Sequence, residues 1–247
     1  MTPPPGLTVL LQSPTGSTPP ELLKAWEAVL RPTQRPFQVI VSAEPLGIAL
    51  RAAVTNNPHA YLLLTDTQYP YTPADVLGFL DRIEKPGELP DPRTGVWGPV
   101  LPSMILGCRT GVPVPQPWRS LGGITRFMAK SIFGLPLSQW PGWYGLAEHF
   151  RAYRIWLHYG VPLHDPACGF QLYRQSFLAR FPIQSTGDFV RVELVAKGVF
   201  LTCFMEEVPL SAKPARVPKV PWAKADEKTL SAKPKFWRAP LEASRAT

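Results

Sequence analysis

Cysteine is scarce in this chain. The three present, Cys108, Cys168 and Cys203, are odd in number and far apart. That excludes a disulfide framework and a closely spaced zinc motif, and it makes a reducing compartment the expectation. Cys168 and Cys203 read as small buried apolar residues. No run of about 18 apolar residues occurs, so no membrane-spanning helix is expected. The opening Met1-Thr-Pro-Pro-Pro-Gly6 lacks the basic and apolar regions of a signal peptide, and a cytoplasmic protein is expected. There is no phosphate-binding glycine loop of the P-loop type and no supported Ser-His-Asp or Cys-His arrangement. His164 stands beside Asp165, but adjacent residues of an extended segment face opposite ways and do not make a catalytic pair.

What is present is a chain of 247 residues, 45% hydrophobic, with 31 prolines. The size suits one large domain, or one domain with a tail, around a real core. The prolines demand many loops and extended segments. The net charge of +8 is uneven: residues 211–247 hold nine Lys and Arg against three acidic residues, a net of +6, which leaves about +2 for everything before them. The sequence therefore divides at about residue 213 into a globular region (5–213) and a basic, Pro- and Lys-rich tail (214–247). In the tail Leu210-Ser-Ala-Lys-Pro214 recurs as Leu230-Ser-Ala-Lys-Pro234, and an extended or disordered state is expected. A basic nucleic-acid binder would rest on this tail alone, with no recognisable module, and nucleic acid is an unlikely partner.

Along the globular region, strands are expected at Leu7–Leu11, Phe37–Val41 and Tyr61–Thr65. Helices are expected from Thr18 to Leu30, Leu46 to Val54 and Pro73 to Ile83, the first opened by a capping box, Thr18-Pro-Pro-Glu21. A Pro-rich loop follows from Pro86 to Pro92, then a strand at Met104–Cys108 running into Arg109. Alternating strands and helices imply right-handed crossovers and a mostly parallel sheet. Ligands of such sheets lie beyond the carboxyl ends of the strands, where Asp66 and Arg109 both fall. Helices at Gln175–Phe181 and Gly187–Gly198 and a strand at Leu201–Met205 complete the pattern. Residues 118–161 are helical in pattern but crowded with Trp, Tyr and Phe interleaved with Arg and Lys. They read either as helices packed on the sheet or as a membrane-interface surface, since Trp and Tyr favour the headgroup level and the cations pair with lipid phosphate.

Three stretches carry candidate chemistry. His164-Asp165-Pro-Ala-Cys-Gly-Phe-Gln-Leu-Tyr-Arg174 places a carboxylate, a Gly-Phe pair and a cation within eleven positions, and reads as a loop delivering Asp165 and Arg174 to one site. Thr65-Asp66-Thr-Gln68-Tyr-Pro-Tyr-Thr-Pro73 sets an acid and an amide at a strand end, where Asp66 could also simply cap the following turn. Gly107-Cys-Arg109 offers a guanidinium, which grips phosphate bidentately, or else an exposed arginine in a loop.

The first stretch resembles the Asp-x-x-x-Gly-Phe-x-Leu-Tyr/Phe-Arg signature of family 2 glycosyltransferases, in particular the branch of dolichol-phosphate mannose synthase and bacterial polyprenyl-phosphate glycosyltransferases. The likeness extends to Leu46-Gly-Ile-Ala-Leu-Arg51, Gly107-Cys-Arg109, Glu193 within Asp188-Phe-Val-Arg-Val-Glu193-Leu, and Glu207-Val-Pro209. The second stretch resembles the family's Asp-x-Asp-x-Gln-x-x-Pro, with Gln68 where the second carboxylate stands. The family's Asn-Glu-like and Asp-Asp-Gly-Ser-like loops after the first two strands read here as Gln12-Ser-Pro-Thr15 and Val41-Ser-Ala-Glu-Pro45, leaving Glu44 as the one possible base-contacting acid. Extra residues stand between Arg109 and Asp165, at about 122–144.

The resemblance implies an α/β fold of the GT-A nucleotide-diphospho-sugar transferase type, a mostly parallel central sheet with flanking helices. It implies transfer of a hexose, with inversion, from a nucleotide diphosphate sugar to a polyprenyl phosphate or other lipid or glycan. Asp165 and Glu193 are then the catalytic acids. Asp66, Gln68, Arg109 and Arg174 hold the donor and its phosphates, and Asp66 with Gln68 forms a weakened Mg²⁺ or Mn²⁺ site, since an amide ligates without charge. The protein would be a cytoplasmic enzyme touching the inner membrane face through 118–161. The same departures, Gln68 and the missing base-contacting acids, also suit a catalytically weakened relative that serves as a binding or scaffold subunit.

Overall fold

The computed structural model describes residues 4–13, 15–67, 71–90, 97–109, 154–155, 157–161, 163, 165 and 168–210; of Leu89, Pro90 and Arg109 it describes the backbone alone. The tail, the expected insertion, Gln68, His164 and nearly all of the aromatic-basic stretch 118–161 lie outside the described residues.

Strands β1 (Leu7–Gln12), β2 (Phe37–Ser42) and β3 (Tyr61–Asp66) alternate with helices α1 (Pro20–Leu30), α2 (Leu46–Asn56) and α3 (Asp75–Glu84). A short hairpin follows, β4 (Gly87–Pro90) with β5 (Trp97–Val100). Then come β6 (Met104–Arg109), β7 (Gln171–Arg174), a single turn α4 (Gln175–Leu178), α5 (Val190–Phe200) and β8 (Met205–Leu210). The central sheet has the order β2-β1-β3-β7-β6-β8. β1, β2 and β3 run parallel, as do β6 and β8, while β7 is antiparallel to β3 on one side and β6 on the other.

The strands need apolar residues on both faces because both are covered. Leu7, Val9 and Leu11 of β1 and Tyr61 and Leu63 of β3 pack with Trp26 and Leu30 of α1 and Val76, Phe79, Leu80 and Ile83 of α3. The alternate residues Leu10, Leu62 and Leu64 pack with α2 and with Val190, Leu194 and Val195 of α5. Period-two alternation thus sends Asp66, two beyond Leu64, to the α2/α5 face. Gln12 is the register partner of both Ser42 and Asp66, so three polar side chains end three neighbouring parallel strands in one row.

Several expectations change. Gln171–Arg174, read above as part of a loop, is a strand buried at the centre of the sheet, with Gln171, Leu172 and Tyr173 fully covered. Three buried residues followed by a half-buried arginine show no alternation and leave no periodic signal. The late strand begins at Met205, four residues further on than expected. Leu201–Cys203 are used instead to end α5: Thr202 adopts a left-handed conformation (φ 50°), and Cys203 N–H donates to Gly198 O. Helix α1 starts at Pro20 with Pro19 as its cap, so no capping box forms, and the Thr18 hydroxyl is buried without a hydrogen bond. Part of the Pro-rich loop is the β4-β5 hairpin. The helix expected over 175–181 is a single turn.

Candidate active site at the carboxyl edge of the sheet

Asp66 closes β3 at 8% exposure, and the loop entering β7 lies directly against it. A Cβ on Gly169 would stand 2.6 Å from Asp66 Oδ2, so the signature glycine exists to let backbone touch this carboxylate. Gly169 N–H donates to the Tyr71 hydroxyl at 3.1 Å, which ties the segment after β3 to the signature loop. Phe170 turns into the core among Trp26, Tyr71 and Phe79, edge-on to Phe79 at 5.0 Å between ring centres, and anchors the loop from below.

Asp165 stands at the start of the same loop, 4% exposed. Its carbonyl accepts from Cys168 N–H at 3.0 Å, closing a turn. Its own N–H donates to Glu207 Oε1 of β8 at 3.0 Å. Two motifs 42 residues apart are thereby joined: the acid of Glu207-Val-Pro209 orients the loop that carries Asp165. Arg109 ends β6, which flanks β7 opposite β3, so its backbone reaches the same edge about 10 Å across from β3 at ordinary strand spacing. Gln12 Nε2 donates to Glu44 O at 3.0 Å, which fixes the exposed turn after β2 to the end of β1.

An arginine that sequence reasoning passed over completes the group. Arg191, in the first turn of α5, is 3% exposed. Its guanidinium lies 3.6 Å from Asp66 Oδ2 and 3.8 Å from Asp188 Oδ1. The signal was available: Arg191 is a cation flanked by Val190 and Val192 in a mostly apolar helical run, two residues before the quoted Glu193.

Two expected site residues do not join this group. Glu193 follows Arg191 by two helical positions, about 200° around the axis, and points the other way. It is fully buried, accepts from Gln184 N–H (2.8 Å) and Ser185 N–H (2.7 Å), and pairs with Lys197 Nζ at 2.5 Å. Arg174 lies at the far end of the sheet, opposite Tyr61 at the beginning of β3. Five strand steps, about 16 Å, separate Tyr61 from Asp66. Arg174 Nε donates to Pro102 O at 2.7 Å, Nη2 donates to Ile83 O, and the guanidinium covers the Tyr61 ring. It thus ties β7 to the segment before β6 and to α3, at the end of the sheet away from Asp66.

A parallel α/β sheet with one reversed strand, and a carboxylate at the carboxyl edge beside that strand, is the GT-A nucleotide-diphospho-sugar transferase fold. The chain is similar in structure to glucosyl-3-phosphoglycerate synthase of Mycobacterium tuberculosis, with a TM-score of 0.50 at 9% identity over 92% of this chain and 78% of that one. The same enzyme in complex with Mn²⁺, UDP-glucose and phosphoglyceric acid gives 0.49 at 10% identity, over 93% and 77%. No protein-family model matches the chain, and no curated protein does. Among the described residues no group of three His, Cys, Asp or Glu could hold a metal, and no helix is long and apolar enough to cross a membrane.

Proposed function

We propose that this chain is a glycosyltransferase of the family 2 kind, moving a hexose with inversion from a nucleotide diphosphate sugar to a phosphate-bearing or hydroxyl acceptor. The observation that carries the reading is the contact of Asp66 with Gly169 and Arg191, which brings the acid of the second motif, the signature loop and a cation together at the carboxyl edge. The acceptor oxygen attacks the anomeric carbon, the bond to the diphosphate breaks, and the departing charge is met by cations at this edge. An acceptor phosphate is already ionised and needs no base. A hydroxyl acceptor needs one, and Asp165, whose backbone is held by Glu207 and the Cys168 turn, is our candidate for it. Arg109 enters as a phosphate ligand from the neighbouring strand. Glu193 acts as a positioning residue, through the loop it holds. Among acceptors, the resemblance to the dolichol-phosphate mannose synthase branch favours a polyprenyl phosphate, with peripheral membrane contact through 118–161.

The divalent cation expected at Asp66 and Gln68 is a poor fit to the residues present. Asp66 is already ion-paired with a buried guanidinium, and position 68 offers a neutral amide. A hard cation takes oxygen ligands, and a carboxylate already shared with a guanidinium, beside a neutral amide, offers it little charge. The same pairing favours a second reading, a catalytically weakened relative that binds nucleotide sugar without turning it over.

The test is to incubate the protein with nucleotide diphosphate sugars and either polyprenyl phosphate in detergent or small phosphorylated acceptors, following nucleoside diphosphate release and the anomeric configuration of the product. Release that depends on acceptor, with an inverted product, is expected. Calorimetric binding without release selects the binding-only relative, and neither binding nor release sinks both.

A further inference from the structure

Arg191 is held by charge but not by hydrogen bonds. Its distances to Asp66 (3.6 Å) and Asp188 (3.8 Å) are ion-pair contacts, both longer than a hydrogen bond. Its side chain makes no hydrogen bond among the described residues, and Nε is buried with no partner. A guanidinium presents five donors in a fixed planar fork, and leaving the buried Nε unmet is costly. Such a group lacks an acceptor of complementary shape. Its place at the carboxyl edge, on the acid that ends β3 and also touches Gly169 of the signature loop, says what that acceptor is.

We propose that Arg191 is the cation that receives the donor's diphosphate at this site, in place of a divalent metal, and that Asp188 is its resting counter-ion. This rests on the glycosyltransferase reading and deepens it. The two acids differ in a way that supports the exchange. Asp66 is buried and fixed at a strand end. Asp188 is about a third exposed, one turn before Arg191, and its 3.8 Å contact leaves it able to swing into water. With both acids in place two carboxylates face the one guanidinium of Arg191, which offsets its pull on an anion. When Asp188 withdraws, the guanidinium fork faces the phosphates while Asp66 keeps it oriented. Diphosphate oxygens match the fork bidentately, whereas a metal at Asp66 would stand against the same positive charge.

The test uses isothermal titration of the full chain with inorganic pyrophosphate and with UDP, in EDTA and in Mn²⁺. Wild-type protein is expected to bind both ligands in EDTA, with affinity little changed by Mn²⁺. Arg191→Gln is expected to weaken binding by about tenfold or more, and Arg191→Lys, which keeps charge without the fork, to fall between. Asp188→Asn is expected to tighten binding several-fold, an effect that neither a structural arginine nor an Asp66–Asp188 metal site gives. Because Arg191→Gln removes a buried cation from beside the buried Asp66, the Asp66→Asn/Arg191→Gln pair checks that the loss is not unfolding, with thermal melts alongside. Binding that requires Mn²⁺, weakening by Asp188→Asn, or indifference to Arg191→Gln overturns the proposal. Metal-free pyrophosphate binding that obeys these variants, with no sugar transfer, leaves it standing and removes the glycosyltransferase reading. Transfer that requires Mn²⁺ and survives Arg191→Gln does the reverse.

Discussion

Gly169 sits where any side chain would meet a carboxylate. The built Cβ lies 2.6 Å from Asp66 Oδ2 and 3.1 Å from the Tyr71 hydroxyl, and both neighbours are fixed, one at a strand end and the other packed on Phe170. Gly169→Ala must therefore push the loop or the acid aside. A cost of about 1–3 kcal/mol is expected, the usual range for overpacking, read as a lower denaturation midpoint. Nucleotide affinity should fall with it, measured on the folded fraction, because the displaced atom belongs to the site. Stability lost with affinity intact would place Asp66 outside ligand binding.

At the next scale, a loop is gripped by two helices. Gly47 N–H donates to Thr186 O at 2.9 Å, and a Cβ at Gly47 would lie 2.1 Å from Ser185 O. Arg51 Nη1 donates to Ile183 O (3.2 Å) and Ser185 O (3.3 Å). From the other side Glu193 takes two N–H groups of the same loop, and Lys197 Nζ donates to Pro182 O at 2.6 Å. Helix α5 is buried from Val190 to Gly198, charges included, so its ions must pair internally. Glu193→Gln puts an NH₂ where an oxygen received a donor and leaves Lys197 charged in the core. The expected loss is about 3–5 kcal/mol, while Glu193→Leu with Lys197→Met should cost much less than either single change. A Glu193→Gln variant of native stability but without turnover would restore the catalytic role expected from sequence.

Across the whole molecule the two edges of the sheet divide labour. The carboxyl edge brings Asp66, Gly169 and Arg191 together. The opposite edge is tied by Arg174 and by the pair of Arg35 and Glu84, 2.5 Å apart, which joins the approach to β2 to the end of α3. Arg174→Leu is expected to cost about 2–3 kcal/mol, since two carbonyls lose their donor, with nucleotide affinity unchanged within about twofold. The Arg35 hydrogen bond holds the Glu84 carboxyl below its ordinary value, against an opposing push from burial. A depressed carboxyl favours the folded state above its unfolded pKa, and that contribution disappears as pH falls through the folded value. The stability gap between wild type and Glu84→Gln should thus be steady near neutrality, about 1 kcal/mol for a partly exposed pair, and should close below about pH 4. Urea midpoints across pH read it directly, and a gap that widens in acid contradicts the assignment.

The sequence by itself determined the βαβ alternation, the mostly parallel sheet, the strand ends at Asp66 and Arg109, and the loop around Gly169. Each is a local matter of apolar period, turn residues and strand ends. It did not reveal that Gln171–Arg174 is a central reversed strand, because three buried residues and a half-buried arginine carry no period. That reversal is what sends Arg174 to the far edge while Gly169 stays beside Asp66, so two ends of one motif serve opposite sides of the sheet. Nor could spacing separate Arg191 from Glu193. Both lie on one quoted helix, and only its packing turns the arginine toward the strand end and the glutamate toward the loop behind. Which charged side chain meets a ligand depends on the direction a buried helix presents, and that direction is set by contacts distant in sequence.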